Sequence, residues 1–241
     1  MSYSISKLVP ILILMGFLSF STKPFDKMNT IKVKKIEDFE ITGNENTTHW
    51  KAAEWIKLTQ RKSEGGSYGT QVKILYSDRG IYFLFFCEDS KITSTMKEDN
   101  LDLWTEDVVE IFLWTDEHYP LYFEYELSPM NYELPLLIPN MEGKFLGWIP
   151  WHYFGDRKVI HATGVAGGEK RSGASITSWT AEFFIPFELL SPLNNVPPQK
   201  GTQWRANMYR MDYDNGHSTW SWQETDKTFH EYEKFGTLLF D

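Results

Sequence analysis

Thr70-Gln71-Val72-Lys73-Ile74-Leu75-Tyr76-Ser77-Asp78-Arg79-Gly80-Ile81-Tyr82-Phe83-Leu84-Phe85-Phe86-Cys87-Glu88 consists of two runs rich in β-branched and aromatic residues around a short polar break. Ser77-Asp78-Arg79-Gly80 has the chemistry of a tight hairpin turn, with Asp and Gly supplying its geometry. Residues 70–76 and 81–88 therefore read as paired strands. The same grammar recurs along the chain. Further strands are expected at 31–36, 107–114, 121–128, 159–165, 176–185, 203–212, 218–222 and 237–240, separated by Gly, Pro, Asn and Asp. Helical periodicity is scarce. Two short helical turns are expected, one at 50–55 and one at 186–190, where Pro186 suits a first helical position because its missing N–H costs nothing there. About ten short strands without long amphipathic helices predict an all-β, antiparallel β-sandwich with jelly-roll or immunoglobulin-like layers. No repeat, low-complexity tract or linker divides the chain, so residues 22–241 are read as one domain.

Composition narrows the function classes. The 241 residues include ten Trp, 12 Tyr and 17 Phe, an aromatic share of 16% that provides core volume and flat surfaces for stacking on ligands. The net charge is −9, with no cluster of Lys and Arg, which argues against a phosphate-backbone partner. Cys87 is the single cysteine, so the chain holds no internal disulfide and no Cys-based zinc site. Its apolar setting predicts a packed core thiol. Met1 to Ser21 resembles a secretory signal: Lys7 precedes a mostly apolar run, and Ser19 and Ser21 are small residues at the spacing of a cleavage site. The run is shorter than the ~20 residues of a membrane-spanning helix. Export to a periplasmic or extracellular location is expected, with no other membrane association.

The segment Trp104-Thr105-Glu106-Asp107-Val108-Val109-Glu110-Ile111-Phe112 joins an aromatic to three carboxylates. Strand alternation puts Glu110 on one face with Val108 and Phe112, among apolar neighbours, where a carboxylate needs a partner. On the next strand Tyr122, Glu124 and Glu126 share a face. Carboxylates at this spacing suit three roles: a solvated acidic face, an acid and base for glycoside hydrolysis, or part of a calcium site with Asp102, Glu106 and Asp107 as candidate ligands. The six His show no zinc-ligand spacing, and phosphate-loop and nucleophile-elbow motifs are absent.

Five elements in order resemble the family 9 carbohydrate-binding modules and related sugar-binding domains, which share a DOMON-like β-sandwich. They are Trp50-Lys51-Ala52-Ala53, the strand pair within Val72 to Phe86, Trp104 to Phe112, Trp179-Thr180-Ala181-Glu182-Phe183-Phe184-Ile185-Pro186, and Lys234-Phe235-Gly236. The resemblance covers nearly all of the chain after residue 21. It implies a sugar held between two aromatic rings, with polar side chains bonding its hydroxyls and calcium supporting the fold in some members. By position Trp104 matches the first ring and Glu110 a sugar-contacting Glu. Phe229 stands where the family places its second Trp, and Asp226 where it can place a polar contact. Glu124 occupies a region where the family can use a basic side chain. With Arg210, these residues form the candidate carbohydrate-binding set. The implied role is binding of a mono- or oligosaccharide in carbohydrate catabolism, alongside glycoside hydrolases, with no catalysis and no required cofactor. Two alternatives remain: hydrolysis of O-glycosyl bonds by Glu110, Glu124 or Glu126, and haem binding by Met208 or Met211 with His161 or His217.

Overall fold

The structure, a computed structural model, describes residues 29–141, 144–151 and 154–241. The expected leader, 1–21, lies outside them. In chain order the strands are β1 (Thr30–Lys35), β2 (Ile56–Lys57), β3 (Thr59–Lys62), β4 (Thr70–Tyr76) and β5 (Gly80–Glu88). Then follow β6 (Val108–Trp114), β7 (Leu121–Leu127), β8 (Glu133–Met141), β9 (Lys144–Phe145) and β10 (Ile149–Pro150). The last are β11 (Ile160–Ala166), β12 (Ser178–Pro186), β13 (Gln203–Asp212), β14 (Ser218–Ser221) and β15 (Gly236–Phe240). Among the described residues the single α-helical turn, α1, is Phe187–Leu190.

Strand order is β10-β8-β7-β6-β13-β15 in one layer and β4-β5-β12-β11 in the other, with β1 between β15 and β4. Thr30 to Val33 pair with β15 and Lys34–Lys35 with β4, both in parallel, so β1 passes from one layer to the other. The sandwich is therefore of mixed pairing, whereas the strand pattern alone predicted an antiparallel one. A parallel partner lies far away in the sequence, and no local turn announces it.

Between the layers, Val109, Ile111 and Leu113 of β6 and Phe123, Tyr125 and Leu127 of β7 meet Val72, Ile74, Phe83, Phe85, Trp179 and Phe183 of the opposite sheet. Cys87 belongs to this core, and burial pushes its thiol up to about 12, so it stays protonated. The outer faces are covered as well. Val108, Phe112, Trp114, Tyr122, Leu134, Leu136, Ile138, Tyr209 and Met211 form a second apolar cluster outside the first sheet. Trp50, Leu75, Tyr82, Leu84 and Phe184 form a third outside the second. Double-sided burial explains why β5 is apolar at almost every position instead of alternating.

The hairpin 70–88 forms in the expected register, Tyr76 facing Ile81. The first helical turn spans Thr48–Ala52 as a 3-10 turn. Pro186 is the last residue of β12 and caps α1 instead of opening it, because its extended backbone still pairs with Gly80. β8 carries Pro135 and Pro139, which hid it from a reading of strand propensity. Their carbonyls accept from Trp151 and Leu146, so the prolines sit where acceptors alone are needed.

Trp50 is tied to the second sheet by Glu182, a carboxylate with no solvent exposure. Its Oε1 accepts from Trp50 Nε1 at 2.7 Å, and its Oε2 accepts from the backbone N–H groups of Thr42 and Gly43, each at 2.7 Å. Gly43 has φ +74°, the left-handed turn that aims its N–H at the carboxylate. Glu182→Ala strands the buried donors of Trp50 and Gly43 and the part-buried one of Thr42, and the expected cost is about 3 kcal/mol. At ~2–4 °C per kcal/mol for a domain of this size, thermal melts should fall by roughly 6–12 °C.

Candidate functional site

The outward face of the first sheet holds a cavity of about 240 Å³. It is built on adjacent strands. β6 and β7 pair with Glu110 opposite Glu126 and Phe112 opposite Glu124, so three carboxyls rise from one small patch of the sheet. Leu134, Leu136 and Ile138 of β8 and Met211 of β13 form apolar walls beside them. Trp104 reaches the mouth from the 3-10 turn Leu103–Thr105, anchored by buried Leu103 below and by Tyr213, whose hydroxyl donates to the Trp104 carbonyl at 2.9 Å. The Trp104 side chain stays 41% exposed. Phe229 lies on the Tyr209 ring at 4.0 Å and 9°, which fixes its plane.

His230, Phe145 and Trp148 complete the lining. The His230 ring stacks on Phe112 at 5.3 Å and on Phe145 at 4.2 Å, and its Nδ1 shares a 2.7 Å hydrogen bond with the Tyr122 hydroxyl. Burial lowers the His230 pKa to about 4, so the ring is neutral near pH 7.

The carboxyls are 2%, 4% and 1% exposed at Glu110, Glu124 and Glu126. Glu110 Oε1 has no hydrogen-bond partner, whereas the Glu124 and Glu126 carboxyls lean on each other and Glu126 also faces the Trp104 backbone N–H. Burial raises all three pKa values, reaching about 8 at Glu124, and the neighbouring carboxylates push Glu110 and Glu126 further the same way. Near neutral pH the Glu124 carboxyl is thus mainly protonated and able to donate as well as accept, and Glu110 and Glu126 are shifted in the same direction.

Of the six candidate sugar contacts, Trp104, Glu110, Glu124 and Phe229 line this cavity; Arg210 and Asp226 do not. Asp226 is exposed and pairs with Lys234. Arg210 is one residue out of phase with Tyr209 and Met211, so its side chain enters the sandwich. There Nη1 donates to Thr70 Oγ1 and the Glu88 carbonyl, and Nη2 to Asp89 and Asp212. The residues that sequence reasoning missed are His230, Phe145 and Trp148. The available signal was the apolar run Phe145-Leu146-Gly147-Trp148-Ile149 around a glycine turn, whose large side chains stay exposed.

Asp102, Glu106 and Asp107 do not converge as calcium ligands. Asp107 accepts from the backbone N–H groups of Thr93 and Tyr213, Glu106 accepts from those of Thr95 and Met96, and Asp102 is exposed. The acidic group that does converge, among the described residues, is Asp89, Asp212 and Asp214. Asp89 accepts from Ser90 N, Lys91 N, Trp179 Nε1 and Arg210; Asp212 from Asp214 N and Arg210; Asp214 from Ser90 Oγ and Thr93 Oγ1. Every one of the six oxygens has a donor, and Arg210 and Lys91 supply the positive charge. This donor set does not fit a divalent ion. The haem ligands do not meet either: Met208 is in the inter-sheet core, Met211 lines the cavity, His161 bonds Asn131, and His217 stacks on Tyr213.

With this geometry the comparisons with known proteins agree. The profile of carbohydrate-binding family 9 matches residues 45–240, and the chain belongs to that family. A crystal structure of a Bacteroides uniformis ATCC 8492 protein proposed to bind carbohydrate is 17% identical, with a TM-score of 0.71 over 89% of this chain and 100% of that one. A family 9 module from Caldicellulosiruptor kristjanssonii, in complex with cellotriose, is 16% identical with a TM-score of 0.62 over 88% and 94%. The same organism's module in complex with glucose is 17% identical with a TM-score of 0.61 over 88% and 96%. At these identities the structures show a shared fold. No curated protein matches the sequence.

Two outcomes follow from the site's electrostatics. Glu124 binds its proton more tightly folded than unfolded, so its contribution to stability falls as pH rises from about 4.5 to about 8. Glu124→Gln should flatten that slope in chemical-denaturation curves taken across the window. Because the acidic cluster is internally satisfied, EDTA should leave the melting temperature unchanged to within about 1 °C.

Proposed function

We propose that the chain binds a mono- or oligosaccharide in this cavity, without catalysis. The observation that carries the reading is the half-exposed Trp104 at the mouth of a pocket whose floor offers an unpaired carboxyl oxygen, in a family 9 chain. Sugars present an apolar C–H face and a rim of hydroxyls, and the cavity offers rings and carboxyls in the same order. Its volume lies below the ~300–1,000 Å³ typical of drug-sized ligands, which favours one ring or a chain end. The complexes of the Caldicellulosiruptor modules with glucose and cellotriose support a ligand of that kind.

A sugar face covering roughly 100 Å² of the Trp104 ring contributes about 2.5 kcal/mol. Association costs several kcal/mol, so the carboxyls must supply the remainder, and affinities from micromolar to millimolar are natural. The apolar leader supports export, periplasmic or extracellular, and the family supports a place in carbohydrate catabolism beside glycoside hydrolases.

Hydrolysis by the same carboxyls meets a geometric objection. Glycosidase acid and base flank the scissile bond at about 5–9.5 Å. Glu110, Glu124 and Glu126 rise together from one sheet face, and the rest of the described lining, Phe145, Trp148 and His230 among it, adds no further carboxyl.

Calorimetric titration against a sugar panel tests the reading. Saturable binding is expected for at least one sugar, with Trp104→Ala weakening it at least about tenfold by the loss of that ring. Undiminished binding by a folded Trp104→Ala protein would place the site elsewhere.

A further inference from the structure

The cavity contains three buried carboxyls and no cation. Among its described lining residues there is no Lys or Arg, and the only basic group is His230. Every element packed around it presents the same picture. β6 presents Glu110, and β7 presents Glu124, Glu126 and the Tyr122 hydroxyl. β8 presents only Leu134, Leu136 and Ile138. β13 and its following turn present Tyr209 and Tyr213, whose phenols are held above their usual range by burial. His230, 3.9 Å from Glu124, is neutral. Buried carboxyls elsewhere in this protein are answered: Glu182 by three N–H donors, and Asp89 and Asp212 by Arg210. Those in the cavity have no cationic side chain beside them: Glu110 Oε1 has no hydrogen-bond partner, Glu124 and Glu126 have chiefly each other, and all three residues line the cavity.

We infer that the ligand supplies the missing positive charge: the site takes a sugar bearing a free, protonated amino group. This rests on the carbohydrate-binding reading and narrows its substrate class. An ammonium brought to the cavity floor gives the buried carboxyls a charged donor, and a charge-assisted hydrogen bond is roughly twice as strong as a neutral one. The rings at the mouth suit the same cation, since ammonium groups are attracted to aromatic faces within about 6 Å. An N-acetylated sugar keeps the ring but loses the charge, and a neutral sugar likewise brings no charged donor, so the carboxyls keep their protons. Cation binding favours the ionised carboxyl, so complex formation releases protons, and affinity rises with pH between about pH 5 and about pH 7 while the amine stays charged.

Calorimetry on the whole chain with glucosamine, N-acetylglucosamine and glucose, and with galactosamine and galactose, tests this. At least one amino sugar should bind ten times or more tighter than both its neutral parent and, for glucosamine, its N-acetyl form. Repeating the titration in two buffers of different ionisation enthalpy should show proton release on binding. Glu110→Gln and Glu126→Gln keep the side-chain shape and should each bring the amino-to-neutral ratio towards one, with melting curves confirming that the variants are folded. Neither glucosamine nor galactosamine binding tighter than its neutral parent, while one of the sugars does bind to the wild-type protein, overturns the inference and leaves carbohydrate binding standing. No binding by any of the five overturns the inference, and failure across the wider sugar panel would overturn the carbohydrate reading as well.

Discussion

The buried guanidinium of Arg210 sets the spacing of the whole sandwich. It belongs to β13 in the first sheet, yet its partners are Thr70 and Glu88 at the ends of β4 and β5, and Asp89 just beyond. Trp220 covers it at 4.6 Å, and Trp179 of β12 donates to the same Asp89. A charge taken out of water is tolerated only where every surrounding dipole is placed to receive it, so the two layers can meet at this end in one register. That register carries to the surface. β13 alternates, and with Arg210 directed inward, Tyr209 and Met211 are directed outward, where one supports Phe229 and the other walls the cavity.

Much of this was legible in the sequence, and the reasons are physical. The long β4–β5 hairpin was marked by its turn, and the face of Glu110 by simple alternation along β6. The boundaries of β13, Gln203 to Asp212, were also found from pattern alone. What escaped notice depended on partners distant in the chain. β8 was hidden by two prolines that occupy acceptor-only positions. The parallel attachment of β1 was invisible because no connecting turn encodes it. Arg210 was placed among sugar contacts, although alternation from Tyr209 already directs it to the opposite face. His230 follows Phe229 in a loop without periodicity, and only the stack with Phe112 and Phe145 turns it into a wall.

Two treatments of buried acid coexist in the molecule. At Glu182 and around Arg210 the carboxylates are fully satisfied and function as structural ties. At Glu110, Glu124 and Glu126 they crowd together without a cation, Glu110 Oε1 having no partner at all, at an energetic cost that packing elsewhere must offset. Such local inconsistency between burial and polarity is the mark of a site shaped for something other than folding.

The passage of β1 between layers has a consequence for how the molecule assembles. Each sheet has its own hairpins, which can form from neighbouring segments, but β1 must find β15 across nearly the full length of the chain. Closing so long a loop is entropically slow, and topologies dominated by distant pairings fold on millisecond-to-second timescales. Strand β1 is thus among the last to dock, and until it does, β15 and the Leu75–Tyr76 end of β4 each present an unpaired edge. In the native state the same strand is the natural place for reversible opening, a seam through which the two layers separate before either one unravels.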